Sequence, residues 1–167
     1  MRPIRCSLHF LLLTCCLLPG TSFAQPAPLE LSPTGRISPE AVAECSGLVQ
    51  SRRDPEILWT HNDSGHPARL FAIRTDGSLV APEATDPATY PGIEITGATN
   101  QDWEDLAIGP DGTLYLGDIG NNANRRQNLR VFAIPEPDPR RDLTSAPART
   151  IPFRYPDQTA FPPDKNN

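Results

Sequence analysis

Beyond residue 24 this chain of 167 residues holds one cysteine, Cys45, because Cys6, Cys15 and Cys16 all precede it. A lone thiol cannot close an internal disulfide, so no such staple holds the fold. Cys45 also lacks the cationic surroundings of a reactive thiolate: Ala43-Glu44-Cys45-Ser46-Gly47 supplies a carboxylate instead, and the position reads as a small buried hydrophobe on a strand. Basic residues are few. After residue 24 there are thirteen against twenty acidic ones, a net charge of −7. That balance excludes nucleic acid and anionic membrane surfaces, which attract clustered Lys and Arg. No apolar run approaches the roughly 20 residues of a membrane-spanning helix. No stretch keeps a helical period over three turns.

What is present begins with a targeting pattern. Arg2 and Arg5 precede an apolar run of about a dozen residues, Ser7 to Leu18, and Pro19-Gly20 ends it. Ser22-Phe23-Ala24 then puts small residues at −3 and −1 of a cut after Ala24. Residues 1–24 read as a secretory signal, so the expected location is secreted or periplasmic, with no membrane span after cleavage. A lipoprotein cut before Cys15 or Cys16 would instead put Thr14 or Cys15 where a small residue is wanted.

The remaining 143 residues suffice for one ordinary domain. Residues 25–40 read as a leader, 41–160 as the domain and 161–167 as a truncated end. Ser38-Pro39-Glu40 before Ala41-Val42-Ala43 resembles a short helix start. Everything later consists of short β-branched or aromatic runs, with Asp76-Gly77 and Gly109-Pro110-Asp111-Gly112 as turns. The expectation is all-β, and eighteen prolines after residue 24 agree with it.

These runs repeat. Leu58–Gly65 followed by Arg69-Leu70-Phe71-Ala72-Ile73 is echoed by Leu114–Gly120 followed by Arg130-Val131-Phe132-Ala133-Ile134. The Arg-x-Phe-Ala-Ile elements stand 61 residues apart and the Asp-x-Gly elements 55. Ile93–Thr96 and Arg149–Arg154 are the expected fourth strands. Short antiparallel strands in tandem units predict a partial β-propeller of about two to two and a half four-stranded blades. Trp59 and Trp103 are expected as plugs between them.

Glu44-x-Ser46-Gly47-Leu48, Leu58-Trp59-Thr60-His61-Asn62-Asp63-Ser64-Gly65, Asp102-Trp103-Glu104-Asp105-Leu106-Ala107 and Gly117-Asp118-Ile119-Gly120-Asn121-Asn122 resemble a family of secreted bacterial six-bladed β-propellers. More distantly, Asp111-Gly112-x-Leu114-Tyr115-x-Gly117-Asp118 is similar to the blades of gluconolactonase-type and TolB-like propellers. The likeness covers residues 44–155 and implies that this chain is an N-terminal part, with further blades after Tyr155-Pro156-Asp157. The gluconolactonase-type resemblance also implies a metal ion on the central axis, held by carboxylates and amides.

The residues themselves offer a route to such a site. A three-residue hairpin loop at Pro110–Gly112 places Glu104 opposite Asp118, and a two-residue loop places Asp105 there. Like charges directly opposite destabilise a strand pair by a few tenths to about 1 kcal/mol. A cation should offset the pair, either an arginine from Arg125, Arg126 and Arg130 or a hard metal ion. Ca²⁺ favours oxygen ligands, and Asn62, Asp63, Asn100, Asn121 and Asn122 add oxygens at equivalent loops. The plain alternative is that these acids cap turns and stay wet. Asp118-x-Gly120-x-Asn122-x-Asn124 has calcium-loop spacing, but Leu129 stands where an EF-hand needs its bidentate Glu. His61 and His66 have two-histidine zinc spacing with no third ligand fixed by motif. Two functions remain: a binding or scaffold module for a small molecule or protein ligand, or a metal-dependent hydrolase of lactones or phosphate esters. In the second, His61 is the general base and Ser64 a nucleophile without the Gly-x-Ser-x-Gly elbow.

Overall fold

The computed structural model describes residues 29–37 and 40–156; the expected signal, residues 25–28, 38 and 39 of the leader, and the chain end lie outside them. The chain divides into Met1–Ser32, of which residues 29–32 are exposed coil, and Pro33–Asn167. The described part of the second unit is all-β, with nine strands and no helix. None of its segments is a helix long and apolar enough to cross a membrane. Of the helix-like start, Ser38 and Pro39 lie outside the described residues; Glu40–Ala41 form a turn, and the first strand begins at Cys45.

Two antiparallel sheets form, neither of them closed. The first has β1 (Cys45–Gln50), β2 (Leu58–Asn62), β3 (Arg69–Ile73) and β4 (Leu79–Val80) in sequential order, with β5 (Ile93–Glu94) also on β3. The second runs β6 (Trp103–Ile108), β7 (Thr113–Asp118), β8 (Arg130–Pro135) and β9 (Arg149–Pro152). Both Arg-x-Phe-Ala-Ile elements are third strands. In the second sheet one strand lies along the first four residues of the third strand's edge, pairing Arg130 with Pro152 and Ala133 with Arg149. In the first, two short strands share that edge: Leu70 pairs with Ile93 at one end of β3, and Ala72 with Val80 at the other. The expected fourth strand at Ile93–Thr96 is therefore half of an edge.

Period-two patterning explains the packing. Leu114 and Leu116 on β7 and Phe132 and Ile134 on β8 are buried, while Tyr115 on β7 and Val131 at the start of β8 stay half-exposed; the small Ala133 is buried as well. The buried set joins Trp59, Leu70 and Ile73 of the first sheet in one apolar core. β1 packs beside β6, so the first strands of the two units are neighbours. Trp59 and Trp103 are both fully buried in the shared core. The Trp103 ring lies 5.4 Å from that of His61 in an edge-on contact and 6.2 Å from Phe132. Cys45, expected to be buried, is exposed at the start of β1, where its Sγ sits 2.9 Å from Thr60 Oγ1. A strand's first residue has fewer neighbours to cover it.

Candidate cation site at the strand ends

The β6–β7 turn forms as its residues dictate. Gly112 takes φ +78°, the Gly109 N–H donates to the Thr113 carbonyl at 2.8 Å, and Ile108 pairs with Leu114. The three-residue loop sets the register as far as Asp105 opposite Gly117. There a β-bulge intervenes. Glu104 is the extra residue, and Trp103, not a carboxylate, faces Asp118. The first sheet carries the same irregularity at Gly47, between Ser46 and Leu48.

The bulge separates the acids into two groups. Asp118 is fully buried and meets arginine: Arg126 Nη2 donates to Oδ1 at 2.9 Å and Arg130 Nε to Oδ2 at 2.8 Å. The Asp102 backbone N–H adds a third bond to Oδ1 at 2.9 Å. The cation expected beside Asp118 is thus protein-borne, and its carboxylate is fully engaged. Arg126 Nη1 also donates to the Gly120 carbonyl at 2.7 Å and Arg130 Nη2 to Thr99 Oγ1 at 2.6 Å. Asp118 therefore anchors both loops that flank it.

The second group is Asp63, Asp102 and Glu104, each offering one carboxylate oxygen within 4.8 Å of the other two. Asp63 follows the last residue of β2, Asp102 precedes β6 and Glu104 is the bulged residue. Sequence reasoning found Asp63 and Glu104 and missed Asp102, which a loop brings in before the strand. Gly120 closes the back of the cluster: a Cβ there would collide with Asp102 Cγ, Asp102 Oδ2 and Glu104 Oε1. A side chain at this position would push the two carboxylates out of their present arrangement. Partial burial, with the neighbouring Asp102 and Asp63 charges, pushes the Glu104 carboxyl above the usual range. No arginine forms an ion pair with any of the three among the described residues.

Three of the amides expected as ligands, Asn62, Asn100 and Asn121, are engaged elsewhere, and Asn122 is exposed. Asn62 Oδ1 accepts from the Glu44 N–H at 3.2 Å and its Nδ2 donates to the Ala41 carbonyl at 2.8 Å. Asn100 donates to the Asn62 and Asp63 carbonyls at 3.1 and 2.7 Å and accepts from the Trp103 N–H at 3.2 Å. Asn121 Oδ1 accepts from the Arg125 and Arg126 N–H groups at 2.9 and 2.8 Å. These side chains shape the loops that carry the acids. Asp105 is apart from the cluster. It accepts from its neighbour Leu106 N–H at 2.7 Å and borders the outer-face hollow with Tyr115 and Val131.

His61 sits in the core at 0% exposure. Its Nδ1 is 3.0 Å from the Asn62 carbonyl, and its Nε2 is buried without a hydrogen bond of good geometry. A Cβ on Gly47 would press on that Nε2. Burial lowers the ring's proton affinity, with the Asn62 and Asp105 carbonyls partly opposing. A general base must reach substrate, and this ring is shut off from solvent. His66 lies elsewhere, 3.3 Å from Glu44, so the two histidines do not share a site. Ser64 is in the exposed turn that Asp63 caps through its Oδ1 at 2.6 Å.

No protein-family model, curated protein or solved structure matches the chain. The chemistry of the cluster therefore stands on its own donor set. Oxygens around one Ca²⁺ lie about 2.4 Å from it and so at most about 4.8 Å apart, the limit that these three meet. Hard carboxylate oxygens suit Ca²⁺ and not the softer metals that favour sulfur or imidazole.

The raised Glu104 carboxyl has a sign that can be checked with a chelator present. The folded chain holds this proton to a higher pH than the unfolded chain. Stability therefore falls as pH rises from the ordinary glutamate range, about 4.3, through the raised value. Glu104→Gln should remove that fall and leave the acid end of the profile unchanged. Denaturant midpoints measured across this window check it; parallel profiles for the two proteins would refute the repulsion.

Proposed function

We propose that this chain is part of a secreted or periplasmic β-propeller acting as a binding module, with Ca²⁺ held by Asp63, Asp102 and Glu104. The observation that carries the ion is the carboxylate cluster pressed on Gly120 with no arginine paired to it among the described residues. Three anions at this spacing repel one another, and a divalent cation turns that repulsion into attraction.

The propeller reading is supported by two tandem antiparallel units whose first strands are neighbours and whose third strands carry the same Arg-x-Phe-Ala-Ile pattern. The outer face of the second sheet, with Ala107, Tyr115 and Val131, suits the packing of a further blade. On this reading the ion would tie the end of the first blade, through Asp63, to the second, through Asp102 and Glu104. Its role is to join blades and complete a face for a small-molecule or protein ligand. Calorimetric titration with CaCl₂ tests the ion: about one Ca²⁺ per chain is expected, and no heat of binding at millimolar calcium would reject it.

A further inference from the structure

At the opposite end of β2 from Asp63, the turn at residues 51–57 and the chain leaving β8 enclose a cavity of about 260 Å³. Its frame is well tied. Ser51 N–H donates to the Ile57 carbonyl at 2.9 Å, Ser51 Oγ accepts from the Arg53 and Asp54 N–H groups, and Glu136 N–H donates to the Gly112 carbonyl at 2.9 Å. Ile57 and the three prolines Pro55, Pro137 and Pro139 give it apolar walls.

The polar feature of the lining is Glu136, a glutamate only 3% exposed. Its Oε1 accepts from Trp59 Nε1–H at 2.8 Å, across the two sheets. Its Oε2 is buried with no hydrogen-bond partner. A buried acceptor left unpaired costs about 1–3 kcal/mol, more for a charged group, so this oxygen is primed for a donor. Of the other charges on the lining, Asp54 and Arg140 form an ion pair at 3.0 Å, and Asp138 lies 3.6 Å from Arg141. Arg53 is exposed and forms no ion pair among the described residues.

We propose that this cavity is a second binding site, for a small primary ammonium compound whose N–H group donates to Glu136 Oε2 while its apolar stem lies against Ile57 and the prolines. The volume is below the roughly 300 Å³ at which drug-sized sites begin, so the occupant is small. A metal ion is disfavoured because one free carboxylate oxygen among proline walls falls far short of the six or more that Ca²⁺ takes. A charge-assisted N–H···O bond needs only that one acceptor. Oε2 is itself shut off from solvent, so binding requires the carboxyl group to turn toward the cavity about its soft terminal torsion.

Trp59 supplies the readout, because its indole N–H is bound to the same carboxylate. The full chain, labelled with ¹⁵N, is titrated with n-butylammonium chloride while both indole resonances are followed. A saturable shift of Trp59 with Trp103 unmoved is expected, and n-butanol, neutral and of similar shape, should produce none. Glu136→Gln keeps an oxygen for Trp59 and removes the charge, and should weaken binding by about tenfold or more. An unmoved Trp59 resonance, an equal response to butanol, or unchanged affinity in the variant would overturn the site. If the variant fails to fold, the ammonium-versus-alcohol comparison on the unaltered chain still decides. Norvaline separates the sources of the ammonium group. Tighter binding than butylammonium that is lost in Arg53→Gln supports a free amino acid, and weaker or equal binding supports a simple amine.

Discussion

Replacing Asp118 with Asn should lower the unfolding free energy by about 3–5 kcal/mol, the scale for breaking a buried ion pair from one side. The carboxylate is fully buried and balances two guanidinium groups at 2.9 and 2.8 Å, themselves 11% and 25% exposed. Asparagine keeps the shape and the bond from Asp102 N–H but leaves two arginines without their counter-charge. The loops also loosen, since Arg126 and Arg130 hold Gly120 and Thr99 in place from the same position. Chemical denaturation of both proteins measures the loss. A change below about 1 kcal/mol, the range of exposed pairs, would show that the cluster is solvated and weak.

Calcium should stabilise the folded chain by RT ln(1 + [L]/Kd), about 2.7 kcal/mol at a hundredfold excess over Kd. The size depends on ligands that bind the folded state alone, and the three carboxylates meet only through folding: the residue after β2, the bend before β6 and the bulge each supply one. Asp63→Asn and Asp102→Asn should each remove most of the stabilisation. Asp105→Asn should not, although it adjoins Glu104 in sequence, because its carboxylate lies on the outer face. Equal losses from Asp102→Asn and Asp105→Asn would mean that general acidity, not this cluster, responds to calcium.

Much of the strand plan was legible. Apolar-aromatic runs and the spacing of Arg-x-Phe-Ala-Ile foretold β2, β3, β7, β8 and β9, and of the two loops read from Gly109-Pro110-Asp111-Gly112 the three-residue one forms. β4 was not legible, since Leu79-Val80 is too short to show alternation. Pro39 after Ser38 suggested a helix start, but the segment offers no apolar stripe long enough to sustain one.

The site was half legible. Two of the clustered acids, Asp63 and Glu104, were named from the strand ends, but the bulge at Glu104 leaves no mark in side-chain pattern and moves every pairing beyond it by one residue. That shift gave Asp118 to the arginines and freed Glu104 for Asp63 and Asp102. Asp102 could have been suspected from Gly120, whose lack of a side chain makes room for it. His61 drew attention as a rare histidine beside acids. Its neighbours in space are the Trp103 ring and Gly47, which sequence distance concealed.

The most direct test is a set of four melts at neutral pH: the unaltered chain and Glu104→Gln, each with a chelator and with excess CaCl₂. Without calcium the variant should melt higher, because one of three mutually repelling charges is gone. With calcium the order should reverse, because the ion has lost a ligand. A cluster built to hold a cation predicts that crossing. Melting temperatures that calcium leaves unchanged, or raises equally in both proteins, would contradict it.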